Sequence, residues 1–495
     1  MEMMREKGEK RRALKMGKMN SSLNLTSSSY GVVHYGLILS LLLLSHCSFH
    51  PASCASTVKF LPGFPGSLPF VLETGYVGVG ESEDVQTFYY FIESENNPKD
   101  DPLMLWLSGG PGCSSLAGLF LQIGPVALKH EEYNGSTPNL ISRTQSWTKV
   151  SSIIFVDLPV NTGFTYARTE LAAERSDTLL VHQAHQFLRK WLVDHPKFLS
   201  NEVYIAGDSY SGIPVPAIVQ EIAQGNEKGV QPWINLQGYL LGNGFTTRSE
   251  KNFRIPFAHG MGLISDELYE SLQRSCKGDY INVDPKNLPC HRDMESFNEL
   301  LSGIFVYNIL EPLCERDRGN KETSLRRSLL KKFPRKNFLK THLKLPPFNC
   351  SSYEEFLCGY WANDHNVRTA LHIREGSIGT WRRCPSDIPF KYDILSSFEY
   401  HVNLSRKGYR SLIYSGDHDM AVPFLSTQAW IRSLNYSIVD DWRPWHTNGQ
   451  VAGYTRSYSN QMTFATVKGG SHIAPMNKPE ECFAMYTRWI SKRAL

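Results

Sequence analysis

The stretch VYIAGDSYSG, Val203 to Gly212, decides the fold. Its first five residues read as a short buried strand. The segment that follows, IPVPAIVQEIAQ, reads as a helix whose prolines stand only in the first turn, where they are tolerated. A serine between a buried strand and a helix has the setting of a nucleophile elbow, a tight turn that holds a hydroxyl at the end of a sheet. The usual pattern is G-x-S-x-G; here position 211 is serine and the second glycine is Gly212. Alone, the stretch is ambiguous, because a turn serine that caps the following helix has the same appearance.

Working outward, PLMLWLS (Pro102–Ser108) and SIIFVDLP (Ser152–Pro159) are continuous apolar runs closed by Gly/Pro turns, as expected of strands buried on both faces. SDTLLVHQAHQFLRKWLVDHP (Ser176–Pro196) has apolar residues at helical spacing and ends on a proline. Strand, helix, strand predicts α/β architecture with a mainly parallel central sheet. Downstream, INLQGYLLGNGF, SLIYSGDHD and MTFATVKGGSH repeat the run-then-turn pattern, and PEECFAMYTRWISK reads as a C-terminal helix. Between about 246 and 366 the strand pattern stops. That region carries five cysteines and reads as a helical cap inserted into a single domain spanning 56–495.

A serine hydroxyl is a weak nucleophile and needs a base, a group that orients the base, and donors for the developing oxyanion. SGDHDM places Asp417 and Asp419 in the turn after one strand, and GGSHIAP places His472 in the turn after the next. Serine, acid, histidine, each at a strand end, is the order of the α/β-hydrolase fold. WLSGGPGCSS (Trp106–Ser115) adds a glycine turn directly after a strand, where backbone N–H groups can point at an oxyanion; an ordinary Gly-Pro turn is the competing reading.

The chain has 495 residues, 41% of them hydrophobic, enough for a large core, and a formal charge of +4. The excess positive charge lies in residues 1–55, with seven Lys/Arg against three Glu; the remainder carries equal numbers of each sign. Residues 1–55 run from a basic region through GLILSLLLL to small residues at Ser53, Cys54 and Ala55 and read as a secretory signal peptide. The apolar core is short for a membrane anchor, which needs about 20 residues. The mature chain is therefore expected in the secretory pathway, without stable membrane association once the leader is cut. Eight cysteines follow the leader without a C-x-x-C pair, so a zinc site is not indicated. Sequons at Asn134, Asn349, Asn403 and Asn435 fit glycosylation. Arg316 to Lys344 holds eleven Lys/Arg and two acidic residues; an exposed, processed loop is favoured over a nucleic-acid or membrane patch.

WLSGGPGCSS, DLPVNTGFTYA, GDSYSG, WAND, SGDHDMAVP and GGSHIAP, in this order, closely resemble the serine carboxypeptidase-like proteins. With LPGF at Leu61–Phe64 and ETGYVGVGE at Glu73–Glu81, the resemblance spans nearly the whole mature chain. It implies an α/β-hydrolase fold in which Ser209 is nucleophile, His472 base and Asp419 orienting acid. Asp417 becomes a structural neighbour, and the N–H groups of Gly110 and Tyr210 the oxyanion hole. It also implies disulfides Cys113–Cys384, Cys276–Cys290 and Cys314–Cys350, with Cys358 and Cys482 free.

The family holds carboxypeptidases and plant acyltransferases, which pass an acyl group from a glucose ester to an alcohol or amine. Both use an acyl-enzyme, so the triad does not separate them. In the peptidases, Asn before GGPG and Glu before the nucleophile bind the peptide's terminal carboxylate; here those positions are Ser108 and Asp208, beside Gly109. Serine offers one donor on a short arm, and aspartate's carboxyl stops one carbon–carbon bond sooner, which loosens such a clamp. GDSYSG also resembles the acyltransferase branch more than the GESYAG of the peptidases. The expected partners are thus a small-molecule acyl donor and acceptor, with a peptide substrate as the alternative. The expected location is the vacuole or extracellular space, and no metal, organic cofactor or nucleic acid is implied. Asn161 stands where the family usually has Gly and tolerates positive φ better than most residues. An intact triad argues against a silent binding protein of α/β-hydrolase type.

Overall fold

The computed structural model describes residues 55–314, 348, 350 and 352–495. The leader residues 1–54, the basic loop 316–344 and the sequon Asn349 lie outside them.

Twelve strands form one sheet. They are β1 (Ser56–Val58), β2 (Leu72–Val79), β3 (Val85–Ile92), β4 (Leu103–Leu107), β7 (Ser152–Val156), β8 (Tyr166–Ala167), β9 (Val203–Asp208), β10 (Leu236–Gly242), β11 (Arg410–Gly416), β12 (Ile438–Thr447), β13 (Gln450–Tyr458) and β14 (Met462–Val467). The short strands β5 (Val126–Leu128) and β6 (Leu140–Ser142) pair separately. The centre, β7-β4-β9-β10-β11-β14, is parallel. Antiparallel strands extend both edges: β3, β2 and β1 beyond β7, and β13 and β12 beyond β14. This is the α/β-hydrolase fold.

The central strands read as continuous apolar runs because both faces are covered. Along β4, Met104 and Trp106 enter one core while Leu103, Leu105 and Leu107 enter the other. The same alternation sends Ile153 and Phe155 to one side and Ile154 and Val156 to the other. The second core is closed by helix Asp177–Asp194, whose N-cap Ser176 accepts from Leu179 N–H, and by helix Pro214–Glu227. The first is closed by the C-terminal helix Pro479–Ile490, through Tyr486 and Trp489, and by helix Ser352–Asn363. Burial of each large side chain contributes about 1.5–3 kcal/mol, so these faces supply most of the driving force.

The helical stretch expected as one cap divides. Helices Arg254–Gly260, Asp266–Cys276 and Leu288–Leu300 build a third core with Ile255, Phe257, Leu272 and Phe297, and this core reaches Met420 in the turn after β11. Helix Ser352–Asn363 instead belongs to the main body: Trp361 packs on Phe120 and donates Nε1–H to the Pro62 carbonyl at 2.8 Å. Among the described residues the disulfides are Cys113–Cys384, Cys276–Cys290 and Cys314–Cys350, and Cys358 and Cys482 are free and buried. Of the sequons, Asn134, Asn403 and Asn435 are exposed. Among the described residues no helix is long and apolar enough to cross a membrane.

Candidate active site

Parallel strands all end at the same edge of the sheet, so the turns after β4, β9, β10, β11 and β14 converge there. Ser209 follows β9 with φ +54, a left-handed conformation that non-glycine residues rarely adopt and that lifts its hydroxyl out of the turn. The displaced glycine of this motif has a steric reason. A Cβ on Gly212 would stand 2.5 Å from the Phe245 carbonyl oxygen, whereas Ser211 fits and donates its hydroxyl to the Leu107 carbonyl at 3.0 Å.

Ser209 Oγ lies 2.7 Å from His472 Nε2, and His472 Nδ1 lies 2.7 Å from Asp419 Oδ2. Asp419 is fully buried. Its Oδ2 also accepts from Asn243 Nδ2 at 2.9 Å, and its Oδ1 accepts the N–H groups of Ala421 and Val422 at 2.7 and 3.2 Å. A buried carboxylate with this many donors is held in one orientation. Burial opposes a charged imidazole at His472, yet Asp419's charge and hydrogen bond, joined by the charge of Asp208, outweigh it and raise the pKa above the ordinary 6.5; Arg254 pulls the other way.

Asp417 plays a different part. Its Oδ1 accepts Gly469 N–H at 2.7 Å and pairs with His418 Nδ1 at 2.6 Å, so it ties the turn after β11 to the turn that carries His472.

The glycine turn after β4 runs beside the elbow. A Cβ on Gly109 would stand 2.7 Å from Ser209 Cβ, 2.8 Å from the Asp208 carbonyl oxygen and 2.8 Å from Tyr210 N, so only glycine allows this approach. Gly110 is the next residue of this turn and Tyr210 the next of the elbow, and among the described residues neither backbone N–H has an acceptor, which leaves both as candidate oxyanion donors. Cys113–Cys384 fastens this turn, and Ser114 N–H adds a bond to the Arg383 carbonyl at 2.7 Å. A hydroxyl and a base held by a buried acid, with two candidate N–H donors in the adjoining turns, are the parts needed to form and resolve an acyl-serine.

The serine carboxypeptidase family profile matches residues 62–492. This chain belongs to the serine carboxypeptidase family. It is 53% identical over 465 residues to serine carboxypeptidase-like 3 of Arabidopsis thaliana, covering 93% of this chain and 99% of the relative. It is 54% identical over 463 residues to serine carboxypeptidase-like 2 of the same plant, covering 93% and 98%. The fold matches the prohormone-processing carboxypeptidase Kex1(delta)p of Saccharomyces cerevisiae, with a TM-score of 0.68 at 18% identity, over 88% of this chain and 95% of that one. The protein is a serine carboxypeptidase-like enzyme.

Ser108 and Asp208, the positions expected to contact substrate, are both buried beside the glycine turn. Asp208 is only 4% exposed. Its Oδ1 accepts Gly109 N–H at 2.9 Å and its Oδ2 accepts from Gln122 Nε2 at 2.9 Å. Burial raises its pKa, against the pull of those two donors, of His472 and of Arg383. Ser108 Oγ accepts Trp106 Nε1–H at 3.3 Å. Asn161 takes φ +61, and its N–H bonds the Thr165 carbonyl at 3.1 Å, so the turn keeps a left-handed form with asparagine in the glycine position.

Three residues of the site escape sequence reading. Asn243, at φ +46 in the turn after β10, donates to Asp419 and accepts Gly416 N–H at 3.0 Å; its strand-end position was a usable signal. Tyr307, from the cap, accepts His472 N–H on its carbonyl at 2.7 Å, lays its ring 5.0 Å from the imidazole and is 48% exposed. No local pattern marks it, and none marks Gln122.

Proposed function

We propose that this enzyme transfers an acyl group from a glucose ester to an alcohol or amine through an acyl-enzyme on Ser209. His472 takes the Ser209 proton as Oγ attacks the ester carbonyl, and Asp419 stabilises the imidazolium that forms. The oxyanion of the tetrahedral intermediate faces the N–H groups of Gly110 and Tyr210. Collapse breaks the bond to the sugar oxygen, which receives the proton from His472 and leaves as glucose. The acceptor's O–H or N–H then gives a proton to His472 as it attacks the acyl carbon, and the bond to Ser209 breaks with return of that proton. Water in place of the acceptor gives hydrolysis by the same steps.

One observation carries the choice of transfer over peptide trimming. The carboxylate clamp implied for the peptidases needs free donors, and here both Asp208 oxygens already accept from Gly109 and Gln122, while Ser108 supplies a single hydroxyl. The three exposed sequons and three disulfides support passage through the secretory pathway, to the vacuole or the extracellular space.

The test incubates the purified protein with an acyl-glucose and candidate hydroxyl and amine acceptors, and in parallel with a blocked dipeptide at acidic pH. Acyl transfer is expected; peptide hydrolysis without transfer overturns the reading. Ser209→Ala is expected to abolish turnover and fluorophosphonate labelling with the circular dichroism spectrum unchanged. Failure of the wild type to label would sink the catalytic assignment in favour of a binding role.

A further inference from the structure

The two oxyanion donors come from different chain segments, so something must fix their spacing. Gly110 N–H belongs to the trans peptide whose carbonyl, that of Gly109, accepts Cys113 N–H at 3.0 Å; the N–H therefore points the opposite way. The preceding peptide is held by its own N–H, at Gly109, donated to Asp208 Oδ1 at 2.9 Å. Asp208 immediately precedes Ser209 and Tyr210, so its side chain grips the other segment from within the elbow.

Asp208 is in turn held by Gln122, which is 5% exposed and donates Nε2–H to Oδ2 at 2.9 Å. Gln122 stands on a π-helical turn, Gly118–Ile123, where Gly124 N–H reaches back five residues to the Leu119 carbonyl at 3.1 Å. Such a turn inserts a residue and rotates those after it, and it occurs often at functional sites. Arg143 Nη2 on the Phe120 carbonyl at 2.6 Å and Ser146 Oγ on the Ile123 carbonyl at 2.9 Å fasten its end. The other half of the Gln122 amide, Oε1, is buried without a partner among the described residues. A buried unsatisfied acceptor is costly, so packing alone does not account for an amide here; its use is the N–H given to Asp208.

Resting on the reading of Ser209 as the acylated group, we propose that Gln122 and Asp208 are positioning residues: Gln122 orients the Asp208 carboxylate, and Asp208 sets the separation of the Gly110 and Tyr210 N–H groups. This gives Asp208 a task inside the catalytic machinery in place of contact with a substrate carboxylate.

The experiment uses the full enzyme and hydrolysis of p-nitrophenyl acetate, a probe that needs only the acyl-serine, with Ser209→Ala as blank. Gln122→Leu removes the donor and is expected to lower kcat at least about tenfold at every pH, with KM changed less than about threefold; loss of an entire oxyanion donor costs about 100–1000-fold. Gln122→Glu places a second carboxyl against Asp208. At pH 4.5 a shared proton restores the hydrogen bond, and kcat is expected within about threefold of wild type. By pH 7.5 two carboxylates repel, and the ratio to wild type is expected to fall at least about tenfold. His472, Arg383 and the Tyr414 phenol are the other charged or titratable groups that feel Asp208, and all are unchanged in the variant, so the ratio isolates the new pair. A ratio that stays flat with pH overturns the proposal, as does a rise in KM with kcat intact. If Gln122→Leu does not fold, the Gln122→Glu ratio decides alone. A wild type inactive on the ester fails the underlying acyl-serine reading, and the clamp with it; an active wild type with unaffected variants fails the clamp only.

Discussion

Asp419 and Asp417 lie two residues apart in one turn, and their surroundings give them separate tasks. Asp419 sits in a buried ring of donors from Asn243, Ala421 and Val422 and faces the imidazole, while Asp417 faces a backbone N–H. Replacing Asp419 by Asn leaves the shape and removes the charge that favours the Nδ1–H tautomer. Asp419→Asn is expected to lower kcat by about 10³–10⁴-fold. Because Asp419 raises the His472 pKa, the ascending limb of kcat/KM in the residual activity should move to lower pH. A pH-rate profile of the variant checks both, and a limb at unchanged pH contradicts the electrostatic account.

The site is built from strand ends, so its precision depends on how neighbouring turns are fastened. Asp417→Ala frees Gly469 N–H and unties the turn of His472 from the turn of Asp419. A cost of about 1 kcal/mol in stability and about a tenfold loss in kcat are expected, read by thermal melting and steady-state kinetics. Gly109→Ala is harsher, since its methyl would meet Ser209 Cβ, Tyr210 N and the Asp208 carbonyl inside 3 Å. Folded Gly109→Ala protein should show no measurable fluorophosphonate labelling; normal labelling would mean that the two segments separate without consequence. The cap enters at this scale as well. Met420 N–H bonds the Val306 carbonyl at 2.9 Å, and Tyr307 lies against His472, so the cap segment is anchored to the acid and histidine turns.

For the molecule as a whole, two buried acids outside the triad link folding to pH. Glu250 has its pKa raised by burial from 4.5 to about 7, against hydrogen bonds from Thr247, Thr246 and Ser426. Asp157 is raised by burial from 3.8 to about 6, against Ser114, Phe164 and Ser115. In both, the folded state holds a proton that the unfolded chain releases at lower pH. Their contribution to stability is therefore complete below the unfolded value and is lost as pH rises through the folded one. The urea midpoint is expected to fall between pH 4.5 and 7.5, by about 1–3 kcal/mol in unfolding free energy. Glu250→Gln should flatten that slope between pH 4.5 and 7; an unchanged slope, or a midpoint that rises with pH, contradicts the assignment.

The sequence by itself determined the parallel centre of the sheet, because strands buried on both faces must be continuously apolar and VYIAG, PLMLWLS and SIIFVDLP are so. It also pointed to the turns brought together at the sheet edge, since a serine between strand and helix, a glycine turn and an acid or histidine after a strand are local features. The antiparallel edges were not legible: β12 is largely exposed, and β2, though mostly buried, is interrupted by glycines in LETGYVGV, so neither shows a continuous apolar run in the sequence. Only tertiary structure decided that helix Ser352–Asn363 leaves the cap for the main core, and that Asn243, Tyr307 and Gln122 join the site. Their roles depend on partners 86 to 176 residues away for Gln122 and Asn243, or on backbone carbonyls with no sequence signature. A hydrogen bond is set by position in space, and local pattern reports spacing only along the chain.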